Sequence, residues 1–157
     1  MKPEILITDD SRQAVANILN TLLADEFVLY TKTRRAHWNV QGPSFMELHK
    51  FFEGQYEALD EVVDSVAERI RSLGHFAVGS LTEYVKLTNL LETDQPFGTQ
   101  KEILHALLND HETIIRILRP LVPKISDEYH DYGTSDFITG LMESHEKTAW
   151  MIRSYLV

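Results

Sequence analysis

A long run of helical periodicity, on which the interpretation of the chain depends, lies between Ser44 and Leu73. This run contains no proline, and its one internal glycine is Gly54. Ser44 followed by Glu47 predicts a capping box at its start, and Gly74 predicts its end. The helix would be about 43 Å long. Apolar residues recur along it at spacings of three, four or seven, typical of an amphipathic helix: Phe45, Leu48, Phe52, Leu59, Val62, Val66, Ile70 and Leu73.

Four further segments show helical periodicity, and capping residues indicate where each begins. Their predicted starts are Asp9 or Asp10, Ser80, Thr99, and residues 134–136 after Gly133. The first helix would run to about Val40 after a short lead over residues 1–8, and the second would span 81–90. Pro120, reinforced by Pro123, predicts a kink or a stop in the third, because proline costs a helix interior about 3 kcal/mol. We therefore expect an all-α fold, a four-helix bundle with a short extra helix in the long crossover connection.

Composition changes this picture by excluding several classes of site. A chain of 157 residues fits one domain, over residues 1–157. Because cysteine is absent, any transition metal must bind to histidine and carboxylate, which suits iron, zinc or manganese. The net charge of −9 attracts cations and repels nucleic acid. The sequence has no secretory signal and no apolar run of about 18 residues, so we expect a cytoplasmic protein without a membrane span.

Potential metal ligands lie beside the apolar stripe of the helix predicted between Ser44 and Leu73. These residues are His49, Glu53, Asp64, Glu68 and His75. At about 100° per residue they share one face, and the first two and the next two are i,i+4 pairs that can each bind one ion. The pairs are roughly 16 Å apart, so they cannot meet within one chain, but a two-fold axis near residue 58 would bring them together between subunits. The alternative is an ordinary solvated helix face.

These residues resemble those of the Dps proteins, the mini-ferritins named as DNA-binding proteins from starved cells. The match begins with AHWN around His37, continues with a histidine twelve positions later at His49, and includes a carboxylate at Glu53. It extends to the segment DSVAE from Asp64 to Glu68 and to GTSDFITG at residues 133–140. One departure is Glu53, where the family usually has aspartate. A longer carboxylate still suits iron but would alter the spacing or affinity of the site.

The resemblance implies a ferritin-like bundle with a ferroxidase centre shared between subunits. One subunit would supply His37, His49 and Glu53, and the other would supply Asp64 and Glu68. It implies that Fe(II) is oxidised at di-iron sites, with hydrogen peroxide as the preferred oxidant, and that Fe(III) mineral is stored inside a hollow shell of twelve subunits. Acidic residues before and in the last helix would line a pore for iron: Asp127, Glu128, Asp131 and Asp136.

His75 leaves one alternative open. It is either a histidine favoured by the helix dipole or an extra imidazole that would shift the metal preference toward zinc, making a slow, metal-buffering centre.

A different alternative function is that of a nucleoid protein that coats DNA. The chain has few cations near its ends, Lys2, Arg12 and Arg153, so counterion release gives little driving force and we expect weak or absent DNA binding.

The remaining histidines could in principle belong to a di-iron centre inside a single bundle. Such centres need two ExxH motifs, and the chain has one, at Glu102 and His105. We therefore expect His105, His111 and His145 at the surface or at an interface. Trp38, beside the ligands, is expected to be a packing residue that could also quench stray oxidant.

Overall fold

A computed structural model describes residues 2–96 and 98–157 of the chain. Within these ranges it forms five helices and no strand, which confirms the all-α prediction and the short crossover helix. Met1, in the predicted lead, and Phe97, in the predicted linker, lie outside the described residues. The helices are α1 (Asp9–Asn39), α2 (Phe45–Ser72), α3 (Leu81–Leu87), α4 (Gln100–Asp127) and α5 (Tyr132–Tyr155).

The four long helices form two packed pairs around one apolar core. α1 packs along α2, α4 packs along α5, and α3 covers part of α1. Six of the eight apolar residues predicted on α2 or at its end are buried, whereas Val62 is partly buried and Phe45 is exposed. None of the helices in the described part of the chain has the length and apolar character needed to cross a bilayer.

Two of the three predicted capping boxes are present, at Ser80 and at Thr99. The box predicted at Ser44 is wrong, because this residue has φ −95° and ψ 29° and its side chain makes no capping bond. A cap residue usually adopts the β-region, which aims its side-chain oxygen at the first turn. Thr8 rather than Asp9 or Asp10 caps α1, and the two aspartates lie in the first turn, where the helix dipole favours them.

The stop predicted in the third long helix is wrong. α4 continues through Pro120 and Pro123 to Asp127. Both prolines are exposed, so water can reach the carbonyl groups that they leave without an amide partner. Leu118 and Ile125, on either side, are fully buried, and their burial favours one continuous helix.

The predicted end of α2 at Gly74 is confirmed. Gly74 has φ +88°, its N–H donates to the Arg71 carbonyl, and the His75 N–H donates to the Ile70 carbonyl. These two bonds form a Schellman motif, which satisfies the last carbonyls of the helix. A Cβ at Gly74 would lie 2.8 Å from Cδ of Pro3, so a larger residue would meet both strain and steric overlap.

Candidate functional site

Two imidazoles from neighbouring helices are held face to face at the junction of α1 and α2. The rings of His37 and His49 stack with their centroids 3.8 Å apart. His37 Nδ1 lies 2.8 Å from the His49 carbonyl oxygen, and His49 Nδ1 lies 3.0 Å from the His37 carbonyl oxygen. A carbonyl can only accept, so each Nδ1 carries a proton and donates. In the neutral form of each ring the Nε2 then carries a lone pair, and that form is the one that binds a metal.

Glu53 lies one helical turn after His49, and its carboxylate bonds to Lys50 Nζ at 2.5 Å. The hydrogen bond from Lys50 is the main cause of a lowered Glu53 pKa, and the charges of Lys50, His37 and His49 add to it. Glu53 is thus an ionised oxygen donor beside the two imidazoles. Lys50 is mostly exposed, so a cation that binds Glu53 can displace it into solvent.

Aromatic side chains and one arginine surround the imidazole pair. The Tyr56 ring meets His37 edge-on, with centroids 5.2 Å apart. The Arg34 guanidinium lies 4.9 Å from the Tyr56 ring centroid and 5.6 Å from that of Trp38. Trp38 is 66% exposed in one subunit, so it is not part of that subunit's core, and its predicted packing role would require a partner. It instead presents an apolar surface next to the candidate ligands.

The second predicted pair of ligands lies further along α2. Asp64 and Glu68 are both exposed. Among the described residues, no three or more His, Asp or Glu side chains of one subunit gather in a group that could hold a metal ion. His37 and His49 stack, and Glu53 is near enough for both to contribute to its lowered pKa, but the three side chains do not converge on one ion position. Asp64 and Glu68 lie about three turns or more beyond Glu53 on α2.

His75 does not share the helical face of the other candidates. α2 ends at Ser72, so the rotation of 100° per residue does not extend to His75, and its predicted place on that face is wrong. The residue is partly buried and lines a cleft with Lys2 and Pro3 of the N-terminal lead and with Asp9 and Arg12 of α1. As a metal ligand it stays a prediction, without the geometric argument that suggested it.

The predicted acidic cluster divides into structural and exposed members. Asp131 is buried, caps α5 through the Thr134 N–H at 2.9 Å, and bonds Arg69 at 2.8 Å. It is thus occupied in joining α5 to α2. Asp127, Glu128 and Asp136 are exposed, and their place in a pore stays a prediction.

A second histidine pair lies inside the bundle, where the sequence analysis did not expect it. His111 and His145 are 3% and 4% exposed, so their predicted surface position is wrong, whereas His105 is exposed as expected. Their Nδ1 atoms are 2.8 Å apart, and His145 Nε2 lies 2.9 Å from Oε1 of the fully buried Glu26. Desolvation, and secondarily the charge of His145, lower the His111 pKa well below its usual value.

The sequence did contain a signal for this burial. His111 continues the apolar spacing of α4, formed by Leu104, Leu107, Ile114 and Leu118. His145 continues that of α5, formed by Ile138, Leu141, Ala149 and Ile152. A polar residue at the apolar positions of a helix period is expected inside the protein.

Comparison with known proteins adds a family context to this geometry. Residues 16–157 match the model of a ferritin-like domain. An uncharacterized low temperature-induced protein of Nostoc sp. is 45% identical over 150 residues, which cover 96% of this chain and 84% of the relative. The DNA protection during starvation protein 2 of Bacillus anthracis is 34% identical over 143 residues, which cover 90% of this chain and 96% of the relative.

Solved structures agree with these sequence matches. The crystal structure of a DPS protein from Vibrio cholerae, described as a member of a broad superfamily of ferritin-like diiron-carboxylate proteins, is 31% identical and superposes with a TM-score of 0.92. The superposition covers 99% of this chain and 97% of that one. DpsC from Streptomyces coelicolor, 28% identical, superposes with a TM-score of 0.95 over 100% of this chain and 91% of that one.

Proposed function

This chain belongs to the Dps family of ferritin-like proteins, and from that premise we propose that it is a ferroxidase that oxidises Fe(II) and stores the Fe(III) product. The observation that carries the proposal is the reciprocal bonding of His37 and His49, which leaves two Nε2 lone pairs beside the Glu53 carboxylate. Imidazole and carboxylate together suit iron, and a site with few protein ligands keeps positions open for an oxidant.

The half-site of His37, His49 and Glu53 needs further ligands, and we propose that a second subunit supplies them. The ligands would be the partner subunit's Asp64 and the partner subunit's Glu68. Within one chain these residues are exposed and separated from the imidazoles, which is what a site completed across a two-fold axis requires. Exposed apolar side chains near the half-site, Trp38, Phe45 and Met46, favour a covered surface there. The proposed assembly is a hollow dodecamer built from such dimers.

The reaction follows from two Fe(II) ions bound as substrate in one site. Each Fe(II) gives one electron, and one hydrogen peroxide with two protons accepts both electrons to form two water molecules. Pairing the electrons avoids release of a hydroxyl radical, so the outcome is iron storage and protection from oxidative damage. The carboxylates contribute by stabilising the higher charge of Fe(III) more than that of Fe(II).

We propose that DNA binding is weak or absent. The cationic segment of α1 is engaged within the subunit: Lys32 forms an ion pair with buried Asp110, and Arg35 donates to the carbonyls of Thr93 and Gln95. The net charge is −9, and Lys32 and Arg35 are already bonded within the subunit. Few cationic side chains therefore remain to neutralise phosphates. Retardation of plasmid by the purified protein at about 150 mM salt would contradict this part of the proposal.

Stopped-flow absorbance tests the proposed reaction. Apoprotein loaded with Fe(II) is mixed with peroxide and, separately, with oxygen, and the formation of Fe(III) is followed. We expect a His49→Ala/Asp64→Ala variant to lose at least about 100-fold in rate, equivalent to the loss of roughly 2.7 kcal/mol of stabilisation. His105→Ala, a change at an exposed histidine of α4, is the matched control and should keep the rate. A variant as fast as the unsubstituted protein would refute the site, and a slow unsubstituted protein would indicate a metal buffer with a zinc-occupied centre.

A further inference from the structure

A line of three buried polar side chains joins three helices at the centre of the bundle. Glu26 comes from α1, His111 from α4 and His145 from α5, and none is more than 4% exposed. Oε2 of Glu26 is also buried and has no hydrogen-bond partner among the described residues. The proposed iron oxidation uses none of these groups.

The hydrogen bonds of this line fix where its protons lie. The Glu26 carboxylate at 2.9 Å accepts from His145 Nε2, so the Nδ1 of His145 is directed away from the carboxylate, toward His111. Two Nδ1 lone pairs cannot face each other at 2.8 Å, so one proton lies between them. Burial lowers the His111 pKa, which favours a neutral ring there. The pair is thus two nitrogen donors that share one proton.

This order of groups matches a common way of binding a transition metal. Metal-ligating histidines usually donate their other ring N–H to a carboxylate, as His145 does to Glu26. Zn(II) binds imidazole nitrogen at about 2.0–2.1 Å, so two nitrogens at a tetrahedral angle are about 3.3 Å apart. A separation wider by roughly 0.5 Å would therefore replace the shared proton with a metal ion.

Two imidazoles fill only two coordination positions of a metal ion, and a cavity beside them has room for further ligands. Its volume is about 410 Å³, and it lies between α2, α4 and α5. Besides His111 and His145 its walls include Gln55, Glu61, Ser144 and Thr148. Thr148 Oγ1 donates to Gln55 Oε1 at 3.0 Å, so polar side-chain oxygens line the same cavity as the two imidazoles. Glu61, which is exposed, lies in the wall of this cavity, and Glu26 bonds to His145.

We propose that the Nδ1 atoms of His111 and His145 form a second metal site inside the bundle, which takes a divalent cation that prefers imidazole, such as Zn(II). Water or cavity oxygens complete its coordination, and Glu26 orients His145 through Nε2. Zn(II) is the expected ion because it accepts two imidazoles with oxygen ligands in a tetrahedral arrangement and outcompetes Fe(II) at nitrogen donors. This site is separate from the half-site at the junction of α1 and α2 and does not depend on the proposed iron chemistry.

Equilibrium dialysis against Zn(II), with a weak chelator as competitor, tests the site in the full-length protein. A His37→Ala/His49→Ala background removes the other histidine pair. We expect this background to bind one Zn(II) per subunit, and the further change His145→Gln to abolish that binding. Glu26→Gln should weaken it by about 10–100-fold, because it removes the group that orients His145. His105→Gln is the matched control and should leave it unchanged. Binding that persists in His145→Gln, or no binding in the background, would overturn the proposal.

Crystals of the background variant soaked in Zn(II) give a second test that does not require the His145 variant to fold. We expect an anomalous scattering peak about 2.0–2.1 Å from both Nδ1 atoms. Zinc peaks confined to the protein surface, with none between the two imidazoles, would overturn the proposal whatever the dialysis result.

Discussion

The two histidine pairs of this protein use the same side chain in opposite ways. In the pair at the junction of α1 and α2, each Nδ1 donates to the backbone of the other residue, and neither Nε2 has a hydrogen-bond partner among the described residues. In the pair inside the bundle, the Nδ1 atoms bond to each other and His145 Nε2 bonds to Glu26. The first pair keeps both Nε2 atoms for a further ligand, and the second pair, with Glu26, connects three helices.

This difference teaches that the partner of one ring nitrogen decides how the ring is held and which nitrogen a ligand can reach. A carbonyl partner fixes the tautomer without consuming the second nitrogen, so the ring stays rigid and ready to bind. A side-chain partner in the core makes the histidine part of a network whose loss leaves other polar groups unpaired. Loss of the first pair should therefore affect iron oxidation, whereas loss of the second should affect stability.

The largest expected contrast is in the free energy of unfolding. His145→Leu leaves the fully buried Glu26 carboxylate without its partner, which should cost about 3–5 kcal/mol. His49→Leu removes one hydrogen bond from a partly exposed ring and should cost about 1 kcal/mol. Chemical denaturation of the two variants measures both values. A Glu26→Leu/His145→Leu protein should recover part of the loss, and equal losses in the two single variants would contradict the comparison.

A smaller effect is expected in the pH dependence of stability. Burial lowers the His111 pKa in the folded protein, so the unfolded chain, with a His pKa of about 6.5, takes up this proton first as pH falls. Stability from this group is therefore complete above about pH 6.5 and declines below it, by up to about 1.4 kcal/mol per pH unit.

The His111→Gln variant is the matched comparison for this change of unfolding free energy with pH. Both proteins are measured from pH 7 to pH 5 with a chelator present. Glu26, His145 and Glu61, the charged or titratable groups around the cluster, are the same in both proteins. We expect the unsubstituted protein to lose more stability than the variant over this range. Parallel curves would show that His111 titrates alike in the folded and unfolded chains.

The smallest effect concerns His37 and His49, the pair at the junction of α1 and α2. Lys50 holds the Glu53 pKa below its usual value, mainly through its hydrogen bond, and competes with a cation for the carboxylate. Lys50→Ala should raise the apparent affinity for Fe(II) roughly two- to fivefold at low salt, since exposed ion pairs are weak. Anaerobic Fe(II) titration measures this change, which should shrink at high salt. Weaker binding in the variant would contradict the role assigned to Lys50.

The sequence predicted the fold and half of the candidate site because both depend on local spacing. The period of the apolar residues determines the helices, and i,i+4 spacing brings Glu53 close to His49. The bonds between His37 and His49 join two helices across twelve positions, and no local rule gives their geometry. The continuation of α4 through Pro120 also escaped prediction, since it depends on burial of Leu118 and Ile125 against other helices.

The central claim, a site completed by two subunits, is tested most directly by mixing two inactive variants. His49→Ala and Asp64→Ala subunits are each expected to lose iron oxidation alone. When they assemble together at equal amounts, half of the dimers are mixed, and each mixed dimer has one intact site of two, so about one quarter of the rate should return. Mass spectrometry confirms that mixed dimers form. Mixed dimers that recover no activity would contradict the account, because each subunit would then use its own residues.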